Sequence, residues 1–268
     1  MSVKRIFLFL FCLSIFQLAF GQSHQFIAKD SIIGKYDLFS VDNLGRTNLC
    51  RNDIIIQLDK TKDTLYAASL KTMRPSQMES VKTFRTLVFD KDRGVISFLD
   101  NTLTDINGEI DLMQLDILQP ILACESYLGN SFWVLDAAQR NLLKLNSKLV
   151  IQTRTENLYQ VFDYENPPTQ MLEYNDFLYI LIPDEGVAIF DVFGTFIKLY
   201  KTKATSIGVY DRYLLLQTGN KIEAIANKTF KSTDLIYTIP KGVKQFYFTH
   251  DKIYLLKQKS LLIGQFNQ

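Results

Sequence analysis

Six segments of the chain repeat one pattern of short apolar runs, and this repetition constrains the fold more than any other feature. Each segment has a strand-like run of four or five residues, a polar loop, a second alternating run and then Asp or Asn. Side chains of Asp and Asn bond their own backbone and tolerate left-handed conformations, which suits hairpin turns. The segments are residues 38–59, 95–107, 132–146, 178–191, 213–227 and 253–267.

Another short run precedes the segments and a further one follows most of them, so each unit is predicted to be a four-stranded antiparallel meander. Second strands predicted to start at residues 96, 132, 178, 213 and 253 lie 35 to 46 residues apart, a period typical of propeller blades. The sixth unit ends after its third run, while residues 25–29 precede the first unit without a partner. We therefore expect this N-terminal strand to complete the last blade, which would remove exposed sheet edges.

Residues 38–42 (LFSVD) and 132–136 (FWVLD) carry a resemblance to a known family. The chain resembles six-bladed β-propellers of the NHL and YVTN-like kind over the whole of residues 22–268. This resemblance implies an all-β fold, a six-bladed β-propeller of four-stranded antiparallel blades closed by an N-terminal strand. A β-sandwich also has short strands, but it would not explain six similar units at a near-constant period.

The first residues are typical of a secretory signal peptide. Lys4 and Arg5 precede the apolar run 6–16, and a small-x-small pattern ends at Gly21. The apolar segment is shorter than the roughly 20 residues that span a bilayer. We predict a signal peptide over residues 1–21, a single propeller over 22–268 without a membrane span, and an exported protein in the periplasm, at the outer membrane or secreted.

Charge and histidine content narrow the function classes. The chain has 30 Lys and Arg against 28 Asp and Glu, and the predicted signal accounts for the excess of two. Such a balance does not favour nucleic-acid binding. The two histidines, His24 and His250, have no evident Ser or Cys partner in the sequence, so no catalytic residues are predicted and a non-enzymatic role is favoured.

Two cysteines, Cys50 and Cys124, remain after the predicted signal. An exported protein permits a disulfide between them. They lie far apart in the repeat, however, and a bridge requires Cα atoms within about 7 Å. A disulfide and two separate buried thiols are therefore both open.

Binding residues are expected on the three longest predicted loops, residues 43–53, 70–83 and 154–170, which would lie on one face. Long loops on a rigid scaffold commonly carry binding residues, and aromatic side chains beside arginine are typical of interface anchors. The alternative is that the arginines are a solvated rim and the aromatics cap the core. The candidates are Arg46, Arg51, Arg74, Tyr159, Phe162 and Tyr164.

Four aspartates offer a candidate metal site, because each is predicted to follow a second strand and to lie near the centre of the ring. They are Asp42, Asp100, Asp136 and Asp184. A ring of carboxylates can hold Ca²⁺ or another divalent cation. Such a ring resembles that of lactonase-type propellers, which use acidic residues around a central metal. Turn chemistry explains the same residues without a metal.

The favoured function is an exported, non-enzymatic β-propeller without a cofactor, which acts as a protein-binding or scaffold module in the bacterial cell envelope. Its partner would be a protein or an envelope component. The alternative is a propeller hydrolase or lactonase with an Asp-ligated divalent metal in the central channel. The sequence does not fix the oligomeric state.

Overall fold

In a computed structural model, the described part of the chain is all-β and contains 24 strands, numbered β1 to β24 in chain order. The structure describes residues 23–80, 85–127, 129–156, 158, 161 and 166–267. The predicted signal peptide lies outside the described residues. Within those residues helical structure is limited to short 3-10 turns such as Leu112–Leu115. No helix among the described residues is long and apolar enough to cross a membrane.

Four sheets of the described chain have four antiparallel strands each, in simple chain order. The first contains β2 (Leu38–Val41), β3 (Thr47–Arg51), β4 (Ile54–Leu58) and β5 (Thr64–Ser69). The second contains β6 (Gln77–Ser80), β7 (Thr86–Asp90), β8 (Val95–Leu99) and β9 (Ile110–Asp111). The third contains β10 (Pro120–Glu125), β11 (Ser131–Asp136), β12 (Asn141–Asn146) and β13 (Ile151–Thr155). The fourth contains β14 (Gln170–Tyr174), β15 (Phe177–Ile182), β16 (Gly186–Asp191) and β17 (Phe196–Tyr200).

The remaining eight strands form one continuous sheet whose centre is the N-terminal strand. β1 pairs antiparallel with β24 from Phe26 to Ile33, and its first three residues, 23–25, pair in parallel with β21. The strand order is β18 (Ser206–Tyr210), β19 (Tyr213–Thr218), β20 (Lys221–Ala226), β21 (Lys231–Thr238), β1 (Ser23–Ile33), β24 (Ser260–Phe266), β23 (Ile253–Leu256) and β22 (Gln245–Phe248).

Each hydrophobic cluster is shared by strands that are neighbours around the molecule. One cluster joins Trp133 and Leu135 of β11 to Ile180 and Phe190 of the fourth sheet. A middle strand therefore has both faces covered, and all six residues of β11 are buried. This double burial explains why the middle strands are continuous apolar runs, whereas the outer strand β5 is mostly exposed.

The last strands pack against the first sheet in the same way. Phe39 and Leu49 share a cluster with Tyr254 and Leu256. The first strands of successive groups also contact one another in sequence, from β2 to β6, β10, β14, β18 and β22, and β22 contacts β2. These contacts bring the two ends of the described chain together around a common axis.

The predicted strand positions are wrong in the first two units. We expected residues 43–53 to be one loop between a second and a third strand, but they contain β3, and β2 is a first strand. Thr47 and Asn48 hid this strand because they are polar, yet both are buried. Asn48 donates to Ser80 Oγ at 3.0 Å and accepts from Gln57 Nε2 at 3.0 Å, so hydrogen bonds replace apolar contacts there.

The two cysteines are free and buried. Cys50 lies in β3 of the first sheet and Cys124 in β10 of the third, and they pack in separate hydrophobic clusters. The disulfide that the sequence left open is therefore not formed. Burial raises the pKa of Cys50 to about 12, and burial also raises the pKa of Cys124, so both thiols stay protonated.

Candidate functional site

The first strands enclose a central cavity of about 950 Å³. The first strands run in the same direction around the cavity, as the neighbouring strands β6 and β10 show: Ala123 N donates to Gln77 and Glu125 N donates to Glu79, which is a parallel register. Their starts lie near Asp37 and Lys244 at one end, and their ends lie at the other. A volume of this size is in the range of ligand-binding sites.

The end of the cavity at which the first strands finish is rich in tyrosine and carboxyl groups. Four tyrosines lie near the ends of successive first strands: Tyr127 is two residues after β10, Tyr174 and Tyr210 end β14 and β18, and Tyr247 is the last residue but one of β22. All four line the cavity, as do three carboxyl residues near the same strand ends, Glu79, Glu173 and Asp211. We call this surface the tyrosine mouth and define it as Tyr127, Tyr174, Tyr210, Tyr247, Glu79 and Asp211.

The tyrosines of the mouth contact one another and their neighbours. The rings of Tyr127 and Tyr174 meet edge to face with centroids 4.8 Å apart, and Tyr210 lies 6.1 Å from Phe248. Tyr247 is 39% exposed. Its partial burial raises its pKa to about 12, and the nearby Glu79 and Tyr174 add to that rise. Tyr247, Tyr174 and Glu79 line the same cavity, and the raised pKa values of Tyr174 and Tyr247 keep these two phenols neutral at physiological pH.

Glu79 is the carboxyl group of the mouth with the most perturbed charge state. Its Oε2 accepts a hydrogen bond from the backbone N–H of Glu125 at 2.9 Å. Burial raises the pKa of Glu79 to about 8, and the negative charges of Glu125 and Glu173 add to that rise. Glu79 is therefore largely protonated at neutral pH, although it lies on the wall of an open cavity.

Glu173 lies close by but is fully bonded. It accepts hydrogen bonds from Ser126 Oγ at 2.8 Å, from Tyr127 N at 3.0 Å and from Trp133 Nε1. Lys144 Nζ lies 3.1 Å from Glu173 Oε2 and 4.9 Å from the centre of the Trp133 ring. These contacts tie the third sheet to β14, so Glu173 is a structural ion pair behind the mouth.

The opposite end of the cavity is held together by glutamine side chains. Gln77 accepts from Ala123 N at 2.9 Å and Gln170 from Ile207 N at 2.6 Å, each on the next first strand. Gln245 bonds both backbone groups of Phe39, its Nε2 donating at 3.0 Å and its Oε1 accepting at 3.2 Å. Such bonds satisfy the free edges of the first strands at this end of the cavity.

The three predicted arginines do not share one face. Arg46 lies in the turn after β2, at the mouth end, where its Nε bonds Asp42 Oδ2 at 2.6 Å. Arg51 is the exposed last residue of β3, and Arg74 precedes β6, both at the opposite end. Arg74 pairs with Asp53 at 2.8 Å. The other candidates, Tyr159, Phe162 and Tyr164, lie outside the described residues.

The four predicted metal ligands are also separated. Asp42 follows a first strand and Asp100 a third strand at the mouth end, whereas Asp136 and Asp184 lie at the ends of second strands on the other side. Asp42, Asp100 and Asp136 instead accept backbone N–H bonds in turns, and Asp184 occupies a turn with a φ of 64°. The described residues contain no group of three or more His, Cys, Asp or Glu side chains that could hold a metal ion. The expectation that these carboxylates gather around the centre is wrong.

Comparison with known proteins was informative only at the level of structure. No protein-family model and no curated protein matches the chain. The WD40 domain of Neurospora crassa Pan2 is similar with a TM-score of 0.65 and 10% identity, over 91% of this chain and 96% of that one. A streptogramin B lyase gives 0.59 and 12%, over 90% and 98% of the two chains. BBS1N, solved in complex with ARL6DN, gives 0.58 and 12%, over 83% and 75%.

The fold is a β-propeller. Identities this low show the fold alone and transfer no activity. The tyrosine mouth is therefore the functional candidate that this propeller's own residues provide, and sequence reasoning missed it. Tyr174 and Tyr210 end their predicted first runs and Tyr247 lies within the run 246–249, so aligning the first runs rather than the second strands would have brought the three close together.

The charge state of Glu79 predicts a pH-dependent change in stability. Its pKa is about 8 in the fold but near 4.3 in an unfolded chain, so the unfolded chain binds fewer protons between these values and stability falls as pH rises. Each pKa unit corresponds to about 1.4 kcal/mol, and because Glu79 lines an open cavity, solvent screening reduces the full effect to roughly 2 kcal/mol. Glu79→Gln should therefore gain about 2 kcal/mol over the wild type between pH 5 and pH 9.

Urea unfolding of both proteins across that pH range measures the effect. Gln at this position retains an oxygen acceptor for the Glu125 N–H, so the variant differs mainly in ionisation. If the free energies of unfolding of the two proteins run parallel with pH, Glu79 does not hold its proton in the folded protein.

Proposed function

We propose that this propeller is a non-enzymatic protein-binding module of the bacterial cell envelope, and that it binds its partner at the tyrosine mouth. Tyrosine is enriched in protein interfaces because its ring offers a large contact area and its hydroxyl a hydrogen bond. The single observation that carries the proposal is the convergence of four tyrosines from successive first strands on one open end of the cavity.

We further infer a closed ring of six NHL-like blades. The eight-stranded sheet divides naturally into two blades that share β1, with β1 as the outer strand of the last blade beside β24. Six hydrophobic clusters, each between two adjacent groups of strands, support this count. A closed ring is a rigid support, so residues at its mouth hold their positions without a partner.

Export is part of the proposal and depends on residues 1–21, whose charged and apolar pattern is typical of a signal peptide. The periplasm, the outer membrane surface and the medium are the compartments that this signal would lead to. A non-enzymatic role without a cofactor stays a prediction. The alternative of a metal-dependent hydrolase or lactonase loses its predicted ligand set, because the four aspartates do not lie together.

Site-specific photo-crosslinking tests the proposal in cells. A photoreactive phenylalanine analogue at Tyr247, which is 39% exposed in the mouth, should give a discrete crosslinked protein in the envelope fraction. The same analogue at Leu118, which is 57% exposed at the opposite end, is the control and should give no such product. Equal crosslinking from both positions, or none from Tyr247, would contradict binding at the mouth.

A further inference from the structure

One carboxyl group at the mouth has no cationic partner among the described residues. Asp42 is paired with Arg46, Glu125 with Arg85, and Glu173 with Lys144. Glu79 lines the same end of the cavity, and its hydrogen bond in the described structure is the one from the backbone N–H of Glu125. Among the described residues no hydrogen bond is made to its other carboxyl oxygen, Oε1.

The side chains around Glu79 are suited to a cation. Aromatic faces attract ammonium and guanidinium groups when these lie within about 6 Å of the ring centre. Tyr174 and Tyr247 line the same cavity as Glu79, and Asp211, which also lines it, is paired with Arg212 at 3.5 Å. The protein already uses this chemistry nearby, where Lys144 lies over Trp133 and against Glu173.

We propose that the tyrosine mouth binds a lysine or arginine side chain of the protein partner, whose cationic group pairs with the Glu79 carboxylate between the rings of Tyr174 and Tyr247. This inference rests on the proposed function and specifies the chemistry of its partner. A cavity of about 950 Å³ holds a long side chain together with the flanking backbone, which favours a chain segment over a small free amine.

Binding of the cation is coupled to the proton on Glu79. Glu79 must release its proton to solvent before it can pair with the ligand, so affinity rises with pH until Glu79 is ionised in the free protein. The protonated carboxyl group and the cationic ligand give an ion pair and one proton in solvent, so charge and atoms balance without any other reactant. The titratable and charged groups that surround Glu79 in this region are Asp42, Arg85, Cys124, Glu125, Lys144, Glu173, Tyr174 and Tyr247.

The test uses dye-labelled nonapeptides of glycine and serine with a central lysine, arginine or acetyl-lysine, and fluorescence polarisation against the full propeller. We expect the lysine and arginine peptides to bind at least tenfold more tightly than the acetyl-lysine peptide at pH 8. We also expect the affinity for lysine to fall severalfold between pH 8 and pH 6.5.

Two variants and a control locate the interaction. Glu79→Gln should weaken the lysine peptide at least tenfold and flatten the pH profile, and Tyr247→Leu should weaken it severalfold. Asp234→Asn, an exposed carboxylate on the outer strand β21, should leave affinity unchanged. Thermal unfolding of each variant verifies that it is folded.

Several outcomes would overturn the inference. The first is equal binding of the lysine and acetyl-lysine peptides, and the second is unchanged binding by both Glu79→Gln and Tyr247→Leu. The third is displacement of the peptide by butylammonium at equal concentration, which would indicate a free amine as the ligand. Crosslinking from Tyr247 is measured independently. If crosslinking succeeds and lysine gives no preference, the protein-binding function stands and the cationic anchor is wrong.

Discussion

Lys144→Met should lower the free energy of unfolding by about 3 to 5 kcal/mol. Lys144 is the cation that faces Glu173, a carboxylate that is 4% exposed, and it also covers the ring of Trp133. Removal of the ammonium group leaves a buried negative charge whose hydration has already been lost, and this is the costly half of a buried ion pair. Urea unfolding at pH 7, followed by the fluorescence of Trp133, the single tryptophan, measures the loss.

The control removes both charges at once. In the double variant Lys144→Met with Glu173→Gln, no ionised group remains buried at this site, and the amide oxygen can still accept from Tyr127 N and Ser126 Oγ. We expect about half of the lost stability to return. If the single variant costs less than about 1 kcal/mol, Glu173 is not a buried carboxylate held by Lys144.

Gly264→Ala should lower the free energy of unfolding by about 3 kcal/mol, because β1 lies too close for any side chain. A Cβ atom at this position would lie 2.1 Å from the backbone oxygen of Ile27 and 2.7 Å from the Phe26 ring. Backbone cannot rotate away as a flexible side chain can, so the contact must open and β1 must shift from β24. Chemical denaturation measures the loss, and hydrogen exchange should show the amides of β1 as the ones that lose protection.

Gly219→Ala is the matched control. Gly219 lies in a turn with a φ of 60°, and a Cβ there would meet nothing within 4 Å. Its cost is the left-handed backbone conformation alone, about 1 kcal/mol. An equal loss in both variants, with the protection of β1 unchanged, would contradict the close packing of β1 on β24 that the inferred ring closure requires.

The parts of the fold that could be predicted from sequence are those that bury apolar runs. β11 and β15 were evident because both faces of a middle strand are covered and nearly every residue is apolar. β3 was missed because Asn48 and Thr47 are buried in a hydrogen-bonded network instead. Because β3 was not recognised, the predicted strand order of the first unit was shifted by one strand. Hydropathy does not identify polar residues that are buried through hydrogen bonds.

The candidate site was less accessible to sequence reasoning because its members are far apart in the chain. Glu79 and Tyr247 meet only when β6 and β22 line the same cavity. The predicted arginines were chosen from loop length, and loop length depends on the strand assignment that failed in the first two units, where the predicted loops 43–53 and 70–83 contain β3 and β6. Arg46 and Arg74 already bond nearby carboxylates, so whether they bind a partner remains a prediction.

A crystal structure of the propeller with the lysine nonapeptide, grown at pH 8, tests the central claim most directly. The account predicts the peptide at the tyrosine mouth, with its ammonium nitrogen about 2.7 to 3.2 Å from a carboxyl oxygen of Glu79 and near the rings of Tyr174 and Tyr247. A peptide bound at the opposite end of the cavity, beside Asp37, or at the mouth with its ammonium group in solvent, would contradict it.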